Sequence, residues 1–187
     1  MKTLYFITSN KGKLTEAQER FASVGIDVVQ KDIGYPELQA ATLEEVAQFG
    51  VDHVRQQVNH PFILEDAGIF IDALHGFPGV YSSYVYHTLG LQGILRLLQG
   101  VPTAKRGATF RSVFAYTEPH AQPRLFIGEC QGTVSLGEQG TQGFGYDPVF
   151  IPQGDTRTFA QMGTKEKNQF SHRGRSLEKL LDFFKKQ

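Results

Sequence analysis

The chain of 187 residues is long enough for one domain that buries roughly 70% of the surface its unfolded form exposes, so no disulfide or metal staple is needed. Its 19 Lys and Arg balance 19 Asp and Glu, which excludes a global field drawing it onto nucleic acid or an anionic membrane; any grip on phosphate must be local. The single cysteine, Cys130, rules out an internal disulfide, and no signal-peptide pattern or run of ~18 apolar residues is present, so a soluble cytoplasmic protein is expected.

Leu4-Tyr5-Phe6-Ile7 reads as a strand buried on both faces, and Leu14, Ala17, Phe21 and Val24 then recur at helical spacing. Between them lies the hinge Thr8-Ser9-Asn10-Lys11-Gly12-Lys13. A strand-to-helix turn of this kind gathers backbone N–H groups, a helix N-terminus and two lysines, which suits a phosphate; Ser9 or Asn10 reads equally well as a plain helix cap. It is not a Walker A loop, because Ile7 stands where that loop needs glycine and Leu14 where it needs Ser or Thr. Ile26 to Gln30 predicts a second strand, after which Gly34-Tyr35-Pro36-Glu37 breaks regular structure and puts Glu37 on a loop. Thr42 and Glu45 match a capping box for a helix whose stripe is Leu43, Val46, Ala47, Val51, Val54 and Val58, with Pro61 ending it. Phe62-Ile63-Leu64 is a brief strand running into Glu65-Asp66-Ala67-Gly68, and Ile69 to Leu74 resumes as a strand. "HGFPGVYSSY" reads as a turn, and Leu91, Ile94, Leu95 and Leu98 mark a further helix before Gly100.

From Gly107 the pattern changes: alternating large apolar residues through Tyr116 and a second run from Leu125 to Leu136 predict an antiparallel meander. "GFGYDPVF" leads to a last short strand, and Ser171 starts a terminal helix with Leu177, Leu180, Leu181 and Phe184 facing inward. No repeat or low-complexity linker divides the chain, so residues 1–187 are expected to form one α/β domain of two lobes with a mixed sheet.

A magnesium ion serving a triphosphate takes few protein oxygens and shares its shell with phosphate and water, which makes Glu37, Glu65 and Asp66 the candidate ligands; the acidic pair reads alternatively as a turn with solvated acids. The six histidines form no H-x-x-x-H pair and have no cysteine neighbour, so zinc has little support. His172 and Arg173 stand at the positive end of the terminal helix, where a cation is disfavoured unless it serves a ligand or an acid elsewhere in the fold. In "GFGYDP", Gly143 and Gly145 permit close backbone approach, Phe144 and Tyr146 offer aromatic surface for a base, and Asp147 can accept from a heterocycle N–H; aromatic core plugs are the alternative.

Six motifs in order, "TSNKGK", "YPELQ", "LEDAG", "GFPGVYSSY", "GFGYDPVF" and "EKNQFSHRGRSL", make the chain resemble the inosine triphosphate pyrophosphatase family, also called Ham1-like proteins, and in particular its archaeal-type members. The resemblance implies an elongated mixed sheet flanked by helices, two lobes around a central substrate cleft, and a homodimer. It implies that Thr8, Ser9, Asn10, Lys11, Gly12 and Lys13 hold the triphosphate, that Glu37 and Asp66 bind Mg²⁺, and that Asp66 is the general base with Glu65 as helper. Ala67, Phe144, Gly145, Tyr146, Asp147, Lys167, His172 and Arg173 fall at substrate-binding positions; Lys167 is named by the resemblance alone, and Ala67 stands where many relatives carry a hydroxyl. The implied reaction is hydrolysis of ITP, dITP and XTP to the monophosphate and pyrophosphate by water attack at the α-phosphorus. N–H donors from Arg173 and His172 would welcome a purine O6 and meet adenine's amino group unpaired. A pyrophosphatase for another damaged or pyrimidine nucleotide is the alternative within enzymes. A non-hydrolytic nucleotide sensor would not need the three acids, and a nucleic-acid binder would need a basic stripe.

Overall fold

In the computed structural model the described residues are 2–36 and 38–186, with the Lys2 side chain also left undescribed. Six strands form one mixed sheet in the order β2-β1-β3-β4-β5-β6, where β1 is Lys2–Ile7, β2 Ile26–Lys31, β3 Phe62–Ile71, β4 Gly107–Thr117, β5 Arg124–Val134 and β6 Phe150–Pro152. β1 pairs in parallel with both β2 and β3, and β5 pairs antiparallel with β6. The helices are α1 Lys11–Ala22, α2 Leu43–Val54, α3 Ser82–Thr88, α4 Gly90–Leu97, α5 Thr164–Asn168 and α6 His172–Lys185. None of them is long and apolar enough to cross a membrane.

The chain divides into two compact units. The first draws on Met1–Asp66, Ser112–Gly128 and Arg173–Gln187. Its core is Leu4, Phe6, Ala17, Phe21, Val28, Ile63, Phe114, Tyr116, Leu177, Leu180 and Leu181. Each of the fully buried phenylalanines Phe6, Phe21 and Phe114 removes enough apolar surface to contribute about 1.5–3 kcal/mol at most. α1 starts where it does because the Asn10 side chain accepts from the Lys13 amide at 3.1 Å, so Asn10 rather than Ser9 is the cap. Lys11, Gly12 and Lys13 therefore form the first helical turn. The capping box of α2 is present as predicted, Thr42 and Glu45 bonding reciprocally. That helix closes at Arg55, six residues before Pro61; beyond it the Gln57 and Val58 amides both donate to Val54 O, and Val58 is buried.

The second unit comprises Ala67–Arg111 and Glu129–His172. Ile69, Ile71, Ile94, Phe110, Tyr146, Phe150 and Phe159 are among its core residues. The predicted break at Glu65-Asp66-Ala67-Gly68 does not exist: β3 is one strand through all four residues. Gly68 suggests a turn in the sequence but serves close approach, since a Cβ there would lie 2.2 Å from the Gly79 carbonyl oxygen. The strand then ends at Ile71 rather than Leu74, in a 3-10 turn over Asp72–Leu74. "HGFPGVYSSY" is only partly a turn, because Ser82 begins α3. The Ser82 hydroxyl donates to Gly79 O at 2.6 Å and accepts from the Ile69 amide at 2.9 Å, binding helix start to strand.

Candidate active site

The first unit gathers a buried charged cluster at the start of α1. Helical spacing puts Lys13 and Glu16 on one face of α1. The Lys13 ammonium lies 2.8 Å from Glu65 Oε2 and donates to the Glu65 carbonyl at 3.1 Å. Arg173, in the first turn of α6, donates from Nε to Glu65 Oε1 at 3.1 Å and from Nη1 to Glu16 Oε2 at 2.7 Å. Ser112 of β4 donates to Glu65 Oε1 at 2.7 Å, and its Oγ lies 2.9 Å from Ser176 Oγ. The Ser176 hydroxyl also lies within donating distance of the Arg173 carbonyl, at 3.0 Å. Glu16, Glu65, Ser112, Arg173 and Ser176 are all buried, whereas the Lys13 side chain keeps 19% of its surface exposed. Lys13 is thus the cation of this cluster that reaches solvent.

Burial alone would raise the Glu65 pKa, but Arg173 and Lys13, with hydrogen bonds from Lys13 and Ser112, outweigh it and lower the carboxyl from 4.5 to about 2. A group depressed on folding contributes stability that is complete above its unfolded value and lost as the pH falls through its folded one. Urea-unfolding midpoints should therefore fall between about pH 4.5 and pH 2, and the gap between the parent and Glu65→Gln should close over that same window. A gap independent of pH would contradict the ion-pair account.

Asp66 follows Glu65 on β3, so the two side chains leave opposite faces of the strand; Glu65 is buried and Asp66 half-buried. Glu37 lies outside the described residues. Among the described residues no three His, Cys, Asp or Glu side chains gather as a metal cage. Magnesium needs no such cage, taking one or two carboxylates and completing its shell with phosphate and water, so the half-buried Asp66 carboxylate is a donor of the right chemistry. In the hinge, Thr8 Oγ1 accepts from the Asn10 amide at 3.1 Å, and Ser9 and Lys11 are exposed.

The second unit holds the other candidates. Asp147 Oδ2 accepts from the Phe144 amide at 2.8 Å and from Lys167 Nζ at 2.7 Å, both acid and lysine being buried. Gly143 adopts φ +75°, and a Cβ there would lie 2.1 Å from Asp147 Oδ2, so glycine is required for the loop to fold over its own carboxylate. Lys167 Nζ sits 4.9 Å from the centroid of Phe144, which is half-buried. Gly145 has φ +61°. Tyr146 is a core residue: 4% exposed, it donates its hydroxyl to Ser82 O at 2.8 Å, and burial raises its pKa. Of the two aromatic residues predicted to face a base, Phe144 is the one with accessible surface. His172 is buried and stacks on Phe110 with 4.4 Å between centroids and 8° between planes. Ala67 is half-buried beside Gly68.

Sequence reasoning misses Glu16, Ser112 and Ser176. Two of them carry a signal: Glu16 directly precedes the inward-facing Ala17, and Ser112 falls between Phe110 and Phe114 in the alternating set of β4. Arg173, which the sequence leaves as either a ligand contact or a partner for an acid, pairs with two acids.

The model of the Ham1 family matches residues 4–183. A dITP/XTP pyrophosphatase of Thermococcus kodakarensis is 50% identical over 182 residues, covering 97% of each chain. One of Methanopyrus kandleri is 46% identical, covering 99% of this chain and 97% of its own. The solved structure of a HAM1 protein from Coxiella burnetii superposes with a TM-score of 0.88 at 29% identity, covering 100% of both chains. The six motifs in order, the mixed sheet and these near-complete matches lead to one assignment: the chain belongs to the Ham1 family.

Proposed function

We propose that this protein hydrolyses dITP, XTP and ITP to the nucleoside monophosphate and pyrophosphate. The observation that carries the reading is the 50% identity, over 97% of both chains, to a dITP/XTP pyrophosphatase. In this reading a water oxygen bonds to the α-phosphorus while the bond from that phosphorus to the oxygen bridging the β-phosphate breaks, and pyrophosphate leaves. Lys13, the solvent-reaching cation of its cluster, and the N-terminal amides of α1 take up charge on the phosphate oxygens. Asp66 orients the water and accepts its proton, while Glu65, pinned by cations, holds Lys13 in place rather than exchanging protons near neutrality. Glu37 and Asp66 would hold Mg²⁺, which when bound supplies Lewis-acid stabilisation of the phosphate charge.

Phe144, Asp147, Lys167 and His172 serve the base. A site that hydrogen-bonds the purine O6 leaves its donors unpaired against adenine, a mismatch that supports rejection of ATP by ~10⁴-fold. The family resemblance further supports a homodimer working in the cytoplasm.

A panel of nucleoside triphosphates assayed for pyrophosphate with magnesium, then with EDTA, tests the reading. Release from ITP, dITP and XTP, little from ATP, and loss of all of it on chelation is the expected result. Equal turnover of ATP would overturn the substrate assignment, and full activity in EDTA the metal.

A further inference from the structure

The hinge before α1 is held by a side chain that none of the six motifs contains. β2 is the edge strand of the sheet, and its last two residues meet the hinge. The strand register sets Val28 beside Leu4 and Gln30 beside Phe6, so Gln30 stands two residues after a buried valine, where the inward face of the strand would take another apolar side chain. Instead its Nε2 donates to the Thr8 carbonyl at 2.8 Å. The Thr8 amide donates to the Lys31 carbonyl at 3.2 Å, and the Asn10 amide to Thr8 Oγ1 at 3.1 Å. Three successive peptide groups are thus anchored, and Gln30 anchors the middle one, from Thr8 to Ser9.

A peptide group is planar and trans, so its carbonyl and its N–H point in opposite directions. Holding the Thr8 carbonyl toward Gln30 therefore turns the Ser9 N–H away from it. Without that bond the plane is free to rotate about the Thr8 Cα–C and Ser9 N–Cα bonds while both neighbouring peptide groups stay anchored, and the N–H leaves its position. Among the described residues no acceptor meets the Ser9, Lys11 or Gly12 amides, whereas the Lys13 amide is taken by Asn10. These three donors precede or open α1, where an anion is favoured.

We propose that Gln30 is a positioning residue for the polyphosphate, holding the Ser9 N–H as a donor to a phosphate oxygen. The proposal rests on the reading that the hinge holds the triphosphate. A hydrogen bond to a charged acceptor is worth roughly 10–100-fold in affinity, and one made alike in the bound and transition states falls on KM rather than kcat. Gln30→Met, uncharged and of similar length but without the donor, should raise KM for ITP about tenfold and leave kcat within about twofold. Gln18 provides the control. Its Nε2 donates to the Val28 carbonyl at 3.0 Å, the same kind of bond from α1 to β2 but not to the hinge, and Gln18→Met should leave KM unchanged.

The test joins ITP kinetics to a titration of the ¹⁵N-labelled protein with pyrophosphate and magnesium, following the Ser9 amide signal. In the parent that signal should shift as pyrophosphate is added; Gln30→Met should need about tenfold more pyrophosphate for the same shift, and Gln18→Met should titrate as the parent does. Should Gln30→Met not fold, Gln30→Asn, one methylene shorter, takes its place. A Gln30 variant with parental KM and a parental titration overturns the inference and leaves the proposed function standing. An equal rise of KM in Gln18→Met also overturns it, by assigning the effect to the docking of helix on strand. A parent that releases pyrophosphate from ITP while its Ser9 amide ignores added pyrophosphate overturns the hinge reading, and this inference with it.

Discussion

Arg173→Ala should be among the most destabilising single substitutions in the chain, lowering stability by about 3–5 kcal/mol. The guanidinium is shared by two buried carboxylates, Glu16 at 2.7 Å and Glu65 at 3.1 Å, and its removal leaves both charges without that compensation. For a protein of this size the loss corresponds to a melting temperature lower by roughly 10 °C. Arg173→Lys should recover only part of it, because an ammonium cannot present the two-pronged donor geometry that spans both acids. Arg157 provides the control. It too bridges two acids at short range, Asp155 at 2.9 Å and Glu166 at 2.6 Å, but the Arg157 and Glu166 side chains are exposed and Asp155 is only half-buried, and Arg157→Ala should be hard to distinguish from the parent. Thermal and urea unfolding of the three variants decides the matter. Equal effects of Arg173→Ala and Arg157→Ala would show that burial does not govern these pairs. Because truncating Arg173 removes the partner of two buried acids, any change in activity would be confounded with lost stability, and selectivity is better probed at other positions.

Asp66→Asn should reduce kcat by at least ~10²–10⁴-fold while leaving the unfolding midpoint nearly unchanged. The contrast with its neighbour is what makes this specific. Glu65 is buried, held at about 2, and bonded to Lys13, Arg173 and Ser112, so its removal should act through Lys13 and appear in KM and in stability. Asp66 leaves the other face of β3 and is only half-buried, so its loss should appear in turnover. Single-turnover and steady-state rates with ITP, compared with the melting temperature of each variant, separate the two. An Asp66→Asn enzyme with parental kcat would remove the general base from the mechanism.

Much of the fold is legible because it is written locally. The Asn10 cap, the Thr42–Glu45 box and the strand β4 are each decided within a few positions, and the structure contains all three, although burial in β4 alternates only as far as Arg111 and is continuous from Ser112. The error at β3 has the opposite origin. Two adjacent acids before Ala67 and Gly68 look like a solvated turn, since a buried carboxylate is costly on its own. The groups that compensate Glu65 are Lys13, Ser112 and Arg173, which lie 52, 47 and 108 positions away, beyond the reach of any window of sequence. Tyr146 shows the same limit, because neither its partner Ser82 nor its place in the core is visible in "GFGYDP". α3 is hidden by the glycines and proline just before it, which announce a turn but carry no signal for the helix beyond it.

The long reach of the Arg173 pairs also sets an order of events during synthesis. Glu16 leaves the ribosome 157 residues before the side chain that neutralises it, and the first unit is assembled from three separated stretches of chain, the last of which is α6. A nascent polypeptide therefore carries two acids awaiting burial until α6 emerges, and closure of that half is deferred until then.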